Sequence, residues 1–559
     1  MKDALILKVN GLHVEMSNRY LRACFNEQGK AYSLIYNNQE LIGNLEGAEG
    51  DPDKHNCFYC DYHVKGGTVS MKPTKLKIIE NNSQLIHVSY IDDLSKLGIE
   101  YHLILRSNDS AIYSYVKAWN NSGAMYEINE FRTVYRLDHR LLYIGYNGER
   151  QGMQPTSAHM LQGKKLQDET YDMQDGSLYS NSSIYSKYDY AGFFRKTNLW
   201  GQYGKNYGFW FIPVNTSYYG SGPETQDLMV HYDGIVLNYM SSEHFGRGTF
   251  KIPAKWEKLY GPWCIYVNNG NIADAEYRAN EESNNWPYNW VHDKLYPLEL
   301  GSISGNIESA YSSKKYRVVL ADKPAKGDII NQHEGYTYYT DTDPSGNFAI
   351  EKVRPGTYTV YAYGINSEDL ETHILGEVQI REKHDSYVGK LYIKREYRTL
   401  WQIGSSSHST DGMKFSDQLR NYAWLKLIPK NLYYHVGRDD DWYYLQKDDG
   451  AWNIHFKTDQ TYTGAIHLQV GLAGVTQKVM TDTSGTNISI KLNDQLLAFK
   501  RFENDRAAYR SSMKGGKYHL WDIEVPSNLF KQLADNVITI TTNGYVMYDT
   551  IKMCAKEEA

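Results

Sequence analysis

Between positions 182 and 246, Lys187, Tyr239 and His244 have side chains that can move protons. They sit among aromatic, strand-like segments, SSIYSKYDY, YGFWFIPVNTSYYGSGPETQDLMVHYDG and IVLNYMSSEHFGRGT. A neutral lysine can take a proton from carbon, and a histidine or tyrosine can return one to oxygen. Upstream, FRTVYRLD supplies Arg132 and Arg136, whose even spacing puts both on one face of a strand. A guanidinium there would match the fork of a carboxylate. His231, in LMVHYDG, competes with His244 for the acid role. Each residue also has an ordinary reading. A loop lysine is usually solvated, a histidine ahead of Phe-Gly usually bonds a turn, and paired strand arginines usually face water.

The chain must build a frame around these residues, and its composition limits that frame. Its 559 residues exceed one ordinary core, so two to four domains are expected. Its 50 tyrosines and 12 tryptophans suit strands first and sugar-binding clefts second. A net charge of −6 argues against nucleic-acid binding, so a polyanionic substrate would need local positive charge. Five cysteines do not make a disulfide scaffold in so long a chain. Cys57 and Cys60 form a CxxC in HNCFYCDYH, flanked by His55 and His63. That spacing fits a zinc or redox site, or simply loop cysteines, and the pair's role stays open. Cys24, Cys264 and Cys554 read as small buried residues. The opening MKDALILKVNGLHVEM alternates like a strand, not a signal peptide, and no apolar run is long enough for a membrane span. An extracellular or periplasmic protein lacking its leader is expected, with a cytoplasmic one as the alternative. No membrane or nucleic-acid partner is expected, and the chain is expected to be a monomer.

The fold class expected is all-β. Alternating segments at 85–91, 101–107, 111–119, 208–214 and 263–269, punctuated by Gly, Asn, Asp and Ser, predict a large antiparallel sandwich over 1–298. One short helix is predicted at 272–284. Over 299–394 the pattern D-x-x-G-x-F-x-I-x-x-V-x-P-G-x-Y resembles a small fibronectin type III-like or carboxypeptidase-regulatory-like sandwich. Over 395–559, strands of five to seven residues predict a jelly roll, with a helix at 527–533 behind Pro526. Its closing NVITITTNGYVMYDTIKM resembles the last strands of carbohydrate-binding modules.

SKYDY around Lys187, SGPETQDLMVHYDG, LNYMSSEHFG and LWQIGSS, together with this order of modules, resemble the rhamnogalacturonan lyases of polysaccharide lyase family 4. The resemblance spans essentially the whole chain. It implies a catalytic lysine at Lys187, in a K-Y-D segment, and a catalytic histidine at His244, in an H-[FHY]-G segment a few residues after Tyr239. It implies more loosely an active-site arginine at Arg132 or Arg136. It also implies a cleft arginine lent by the last module, for which Arg510 in AAYRSSMKGGKYH stands ready.

The implied reaction is β-elimination at C4 of galacturonate in rhamnogalacturonan I. Removing the C5 proton beside a carboxylate requires that an arginine neutralise that carboxylate first. Lys187 must then fall well below lysine's usual pKa of about 10.4, through burial and neighbouring arginines. His244 would protonate the departing rhamnose oxygen. Tyr239 would orient substrate or act as a phenolic acid instead. On a regular strand, five residues put Tyr239 and His244 on opposite faces, so a bulge or turn must reunite them. No cofactor is required by this chemistry. GRDDDW at 437–442 and 416–418 offer oxygens suited to a structural calcium. Two other classes stay open: a non-catalytic pectin- or carbohydrate-binding protein, and a glycoside hydrolase with paired carboxylates.

Overall fold

The computed structural model describes residues 5–557 apart from 44–55, 176–177, 180–182, 314, 324–328, 419–425, 459–460, 462–463, 479–481 and 511–513. Almost every regular element is a strand. A nine-stranded antiparallel sheet runs in space from Gln151–Met153 through Trp200–Tyr203, Gly208–Ile212, Glu257–Asn268 and Ala111–Asn120 to Lys75–Asn81. A five-stranded sheet orders Val230–His231, Ile235–Ser242, Glu130–Arg136, Tyr59–Val64 and Gly67–Ser70. An N-terminal five-stranded sheet begins with Ile6–Asn10. One apolar core joins all three, with Phe131, Tyr135 and Met240 packed among Phe209, Phe211, Trp263 and Val14.

Period-two alternation decides what Glu130–Arg136 presents. Phe131, Thr133 and Tyr135 go into the core, and Glu130, Arg132 and Arg136 take the other face, half-buried. The helix forms at Ile272–Asn285, capped where the Asn271 side chain accepts from Asp274 N at 3.1 Å. The helix expected at 527–533 is instead a single 3₁₀ turn, Ser527–Leu529. Phe530 turns into the core, and the Asn536 side chain captures Lys531 N at 2.8 Å, so the turn cannot propagate.

Residues 301–393 form a three-stranded and a four-stranded sheet over their own core of Ile303, Val318, Phe348, Val360 and Ile380. In the turn that opens the D-x-x-G pattern, Asp343 Oδ1 accepts from Ser345 N and Asn347 N at 2.8 and 2.9 Å. From Tyr397–Gly404 to Tyr545–Lys556, two further five-stranded sheets pack face to face. Their core does not end at their own boundary. It runs on through Ala507 and Ala508 to Tyr59, Val134, Tyr188, Tyr239 and Phe245, on the polar face of the first sandwich. Among the described residues, no helix is long and apolar enough to cross a membrane.

The contact between the first and last units is close. Gly246 N donates to Asp505 O at 3.0 Å, Arg506 pairs with Glu243, and Gln167 Nε2 donates to Tyr509 O. Gly246 holds φ +82°, and a Cβ there would stand 2.2 Å from Lys517 N. Both facts demand glycine. Gly246→Ala should destabilise the protein by about 1–3 kcal/mol, because backbone is what must move. Gly192→Ala, whose Cβ meets nothing nearer than 3.5 Å, is the control. Thermal unfolding of the two variants checks the difference, and equal melting temperatures would refute the tight docking.

Candidate active site

The segment around Lys187 is shaped by its own sequence. Ser186 caps a 3₁₀ turn, Lys187–Tyr190: its hydroxyl accepts from Tyr188 N, and Asp189 accepts from Ser186 N at 3.2 Å. Buried Tyr188 and Tyr190 anchor the turn and leave Lys187 half-buried at its start. Tyr188 is the common neighbour of the site. Lys187 Nζ lies 5.1 Å from its ring centroid, Arg510 Cζ 5.8 Å, and the His244 ring stands edge-on at 5.9 Å. Its hydroxyl donates to Asp168 at 2.7 Å. The structure therefore brings Lys187, His244 and Arg510 together, although 323 positions separate the first and last of them (510 − 187).

Tyr239 and His244 also meet. The register slips between Phe131 and Arg132, pairing Phe131 with Ser241 and Arg132 with Tyr239, so Met240 is the extra residue of a bulge. The strand ends at Ser242, and the chain then turns. The two rings lie 5.0 Å apart.

Arg132 is heavily engaged. It grips Asp61 through Nε at 2.8 Å and Nη2 at 3.3 Å, donates to the Tyr239 hydroxyl at 3.2 Å, and stands 3.6 Å from Glu130. Arg136 donates through Nε to the Tyr59 hydroxyl at 2.8 Å. His244 is buried between two carboxylates, with Asp227 2.9 Å from Nδ1 and Glu130 3.0 Å from Nε2. Neither nitrogen points to open solvent, as an acid ready to donate would. An incoming oxygen must displace Glu130. Arg510 Nη1 donates to His244 O at 3.2 Å.

The electrostatics separate the two histidines and the lysine. Burial lowers the Lys187 pKa and Arg510 lowers it further, against the pull of Asp168 and Glu169, leaving a net depression. The expectation of nearby arginines is met chiefly by Arg510, from the last unit. Burial alone would also strip His244 of its proton, but Glu130 and Asp227 outweigh it and its pKa is raised. His231 is held well below the usual range, by burial and then by Lys187, Arg136 and Arg132. It is a neutral imidazole at pH 7 and a poor acid.

Sequence reasoning singled out none of the carboxylates. Glu130 shares the even face of Arg132, a signal that was available. Asp227 lies within SGPETQD, and Asp61 within the CxxC segment, where attention goes to the sulfurs. Cys57 and Cys60 are buried free thiols that burial pushes up, the opposite of a reactive or ligating thiolate. His55 lies outside the described residues, and His63 faces Glu130 at 3.4 Å. Cys24, Cys264 and Cys554 are buried and free, as expected. No three His, Cys, Asp or Glu side chains gather as metal ligands among the described residues. In the 437–442 loop, Asp439 accepts from His435 and Asp441 pairs with Lys414.

The family models for polysaccharide lyase family 4, domain II and domain III, match residues 312–380 and 399–553. A rhamnogalacturonate lyase of Dickeya dadantii is 34% identical over 563 residues, covering 98% of this chain and 94% of that one. A probable rhamnogalacturonate lyase B of Aspergillus terreus is 25% identical, covering 78% and 73%. Rhamnogalacturonate lyase B of Emericella nidulans is 25% identical, covering 73% and 66%.

The charge balance at Lys187 is open to titration. Asp168 raises its pKa, so Asp168→Asn should move the Lys187 titration to lower pH. Arg510 lowers it, so Arg510→Met should move it to higher pH. Carbon-13 NMR of reductively methylated Lys187 reads both directions. A shift of either variant in the opposite sense would refute this balance.

Proposed function

This chain belongs to polysaccharide lyase family 4, and from that premise we propose that it cleaves rhamnogalacturonan I between rhamnose and galacturonate by β-elimination. The observation that carries the mechanism is the convergence of Lys187, His244 and Arg510 on Tyr188, with the lysine's proton loosened and the histidine's tightened. The reaction asks for that division: a neutral base and a charged acid at one pH.

Galacturonate enters with its carboxylate toward the cations. Arg132 already has its charge offset by Asp61 and Glu130, so it is the poorer ligand for that carboxylate. We assign the neutralising role to Arg136, assisted by Arg510, and give Arg132 the task of orienting Tyr239. Lys187 Nζ removes the C5 proton. Electrons flow into the C4–C5 bond, the C4–O bond breaks, and rhamnose leaves as an alkoxide that takes a proton. An unsaturated galacturonate remains at the new non-reducing end. His244 supplies the proton when the leaving oxygen takes the place of Glu130 at Nε2.

Tyr239 is the second reading for the acid. Its hydroxyl accepts from Arg132 and keeps its own proton to donate. A glycoside hydrolase is disfavoured, because Glu130 and Asp227 both bind the same imidazole instead of facing each other across a cleft.

The new double bond, conjugated to a carboxylate, absorbs in the ultraviolet, whereas hydrolysis makes no such chromophore. Wild type should produce it from rhamnogalacturonan and not from polygalacturonan. Lys187→Ala and Lys187→Arg should each lose about 10²–10⁴-fold in turnover with binding retained. Substantial turnover by Lys187→Arg would remove Lys187 as base, since a guanidinium holds its proton. The rate should rise with pH as Lys187 deprotonates and fall as His244 loses its proton, each limb belonging to the coupled pair. An aryl leaving group needs little protonation. The acid is therefore whichever of His244→Ala and Tyr239→Phe loses more on rhamnose than on the aryl substrate.

A further inference from the structure

A second cluster lies just past His244, where the three β units meet. A cavity of about 500 Å³ is lined by Arg247 from the first unit, Gln332 and His333 from the second, and Asp505 and Arg506 from the last. None of Lys187, Arg132, Arg136 or Tyr239 lines it. Arg247 is 3% exposed, Gln332 3% and His333 5%.

Their hydrogen bonding is one-sided. Arg247 Nη2 meets His333 Nδ1 at 3.2 Å, and a guanidinium can only donate, so Nδ1 is the acceptor. The proton of the neutral ring is therefore on Nε2. Gln332 Oε1 accepts from Gly335 N at 3.1 Å, which fixes the amide with its nitrogen on the other side. Arg247 Nε, Arg247 Nη1 and Gln332 Nε2 are all buried with no partner among the described residues, whereas the His333 ring also bonds to the Gly248 backbone. All three unpartnered atoms are donors.

The lining carries five cations, Arg247, Lys251, Lys323, Arg506 and Lys517, against four carboxylates. Lys258 is buried beside them, its ammonium donating to His333 O at 3.1 Å and to Gly335 O. Exposed Lys251 and Lys323 line the same cavity. Its acids include Glu334 and Glu503. Glu243 is bound to Arg506, and Asp505 accepts from the backbone of Val475, Ala507 and Lys517. Asp227, the carboxylate that most influences Arg247, is bound to His244 and Ser242. Burial, followed by repulsion from Arg247 and Arg354 against the pull of Asp322, brings the Lys258 pKa down to about 7. Burial, followed by repulsion from Arg247 and Lys258, keeps His333 neutral. Leaving a buried donor without an acceptor costs about 1–3 kcal/mol, and more when it is charged.

We propose that this cavity binds a small oxyanion, the carboxylate of a uronic acid or a sulfate- or phosphate-type ion, held by Arg247, His333 and Gln332. A carboxylate or tetrahedral oxyanion offers several acceptor oxygens on one centre, as this set of donors requires. Bound there, it would tie the first two units together through one charge. The site does not depend on the lyase reading, since its occupancy is read without turnover.

Calorimetric titration of the full chain with selenate, galacturonate and, at equal ionic strength, chloride tests the proposal. Selenate or galacturonate should saturate a site that chloride does not fill. Arg247→Met should weaken that binding at least about tenfold, and Gln332→Leu should weaken it measurably. Selenate alone identifies an inorganic ion, and galacturonate at the same Arg247-dependent site identifies a uronate. A selenate-soaked crystal should show an anomalous peak within hydrogen-bond reach of Arg247. No binding of either anion, or binding that both variants leave unchanged, overturns the proposal. Should Arg247→Met fail to fold, Gln332→Leu and the anomalous peak decide.

Discussion

One seven-residue strand sets the electrostatics on which the rest of the site depends. Glu130–Arg136 must bury one face in the large sandwich, and Phe131 and Tyr135 make that face binding. The alternation then leaves no choice for Glu130, Arg132 and Arg136, which must share the other face. A single-residue slip would exchange the two sets and put two guanidinium groups into an aromatic core, at a cost no packing gain offsets. Register is thus held by the hydrophobic side and spent on the polar side. The bulge at Met240 is compatible with this because it slips the partner strand, not this one. It advances Tyr239 to lie opposite Arg132 and lets the following turn carry His244 back toward Tyr239.

The second constraint is that the site face does not stay open. Val134, Tyr188, Tyr239 and Phe245 are continuous with the core of the last unit, so the polar residues beside them are roofed by another β unit. That roof desolvates Lys187 and His244, and it also delivers Arg510. Where the three units meet elsewhere, His408 is stacked between Tyr363 and Tyr518 at 3.9 and 3.8 Å, and the Tyr363 hydroxyl donates to Glu224. Contacts of this kind fix the units against one another over a wide front. An arginine supplied from so far along the chain can be placed with precision only if that front is rigid.

The strands and the helix at Ile272–Asn285 were legible because alternation, caps and turn residues are local signals. The helix at 527–533 was misread because Phe530 is drawn into a core assembled from distant strands, and the Asn536 side chain then takes the Lys531 N–H. At the site, Lys187, His244, Tyr239 and the arginines were singled out through a family resemblance resting on short motifs. Their carboxylates were not. Asp61 reaches Arg132 across paired strands, and Asp227 reaches His244 across a turn, so neither is a neighbour in sequence of the charge it balances. The cysteines show the converse. CxxC is a loud local pattern, yet burial leaves both thiols inert, and the residue beside them that matters is Asp61.

Lys187 and His244 are both desolvated, yet their pKa values move in opposite directions, so burial alone cannot be what tunes them. For both groups it disfavours the charged form. The difference lies in geometry of partners. His244 has a carboxylate on each ring nitrogen, at 2.9 and 3.0 Å, and both favour its proton at hydrogen-bond range. Lys187 feels Asp168 and Glu169 as charges, but Asp168 is already shared with the Tyr188 hydroxyl and with Arg510, and Arg510 itself repels the ammonium. Asp168 thus bonds to the groups around the lysine, and its hold on the lysine's own proton is diluted. One arginine from the last unit sits in both balances, opposing the proton on Lys187 and on His244 alike. At Lys187 burial is the largest influence and, with Arg510 added, it outweighs Asp168 and Glu169; at His244 Glu130 and Asp227 outweigh burial and Arg510 together. The opposite shifts of Lys187 and His244 are therefore made by unequal pairing, while burial opposes the charge on both.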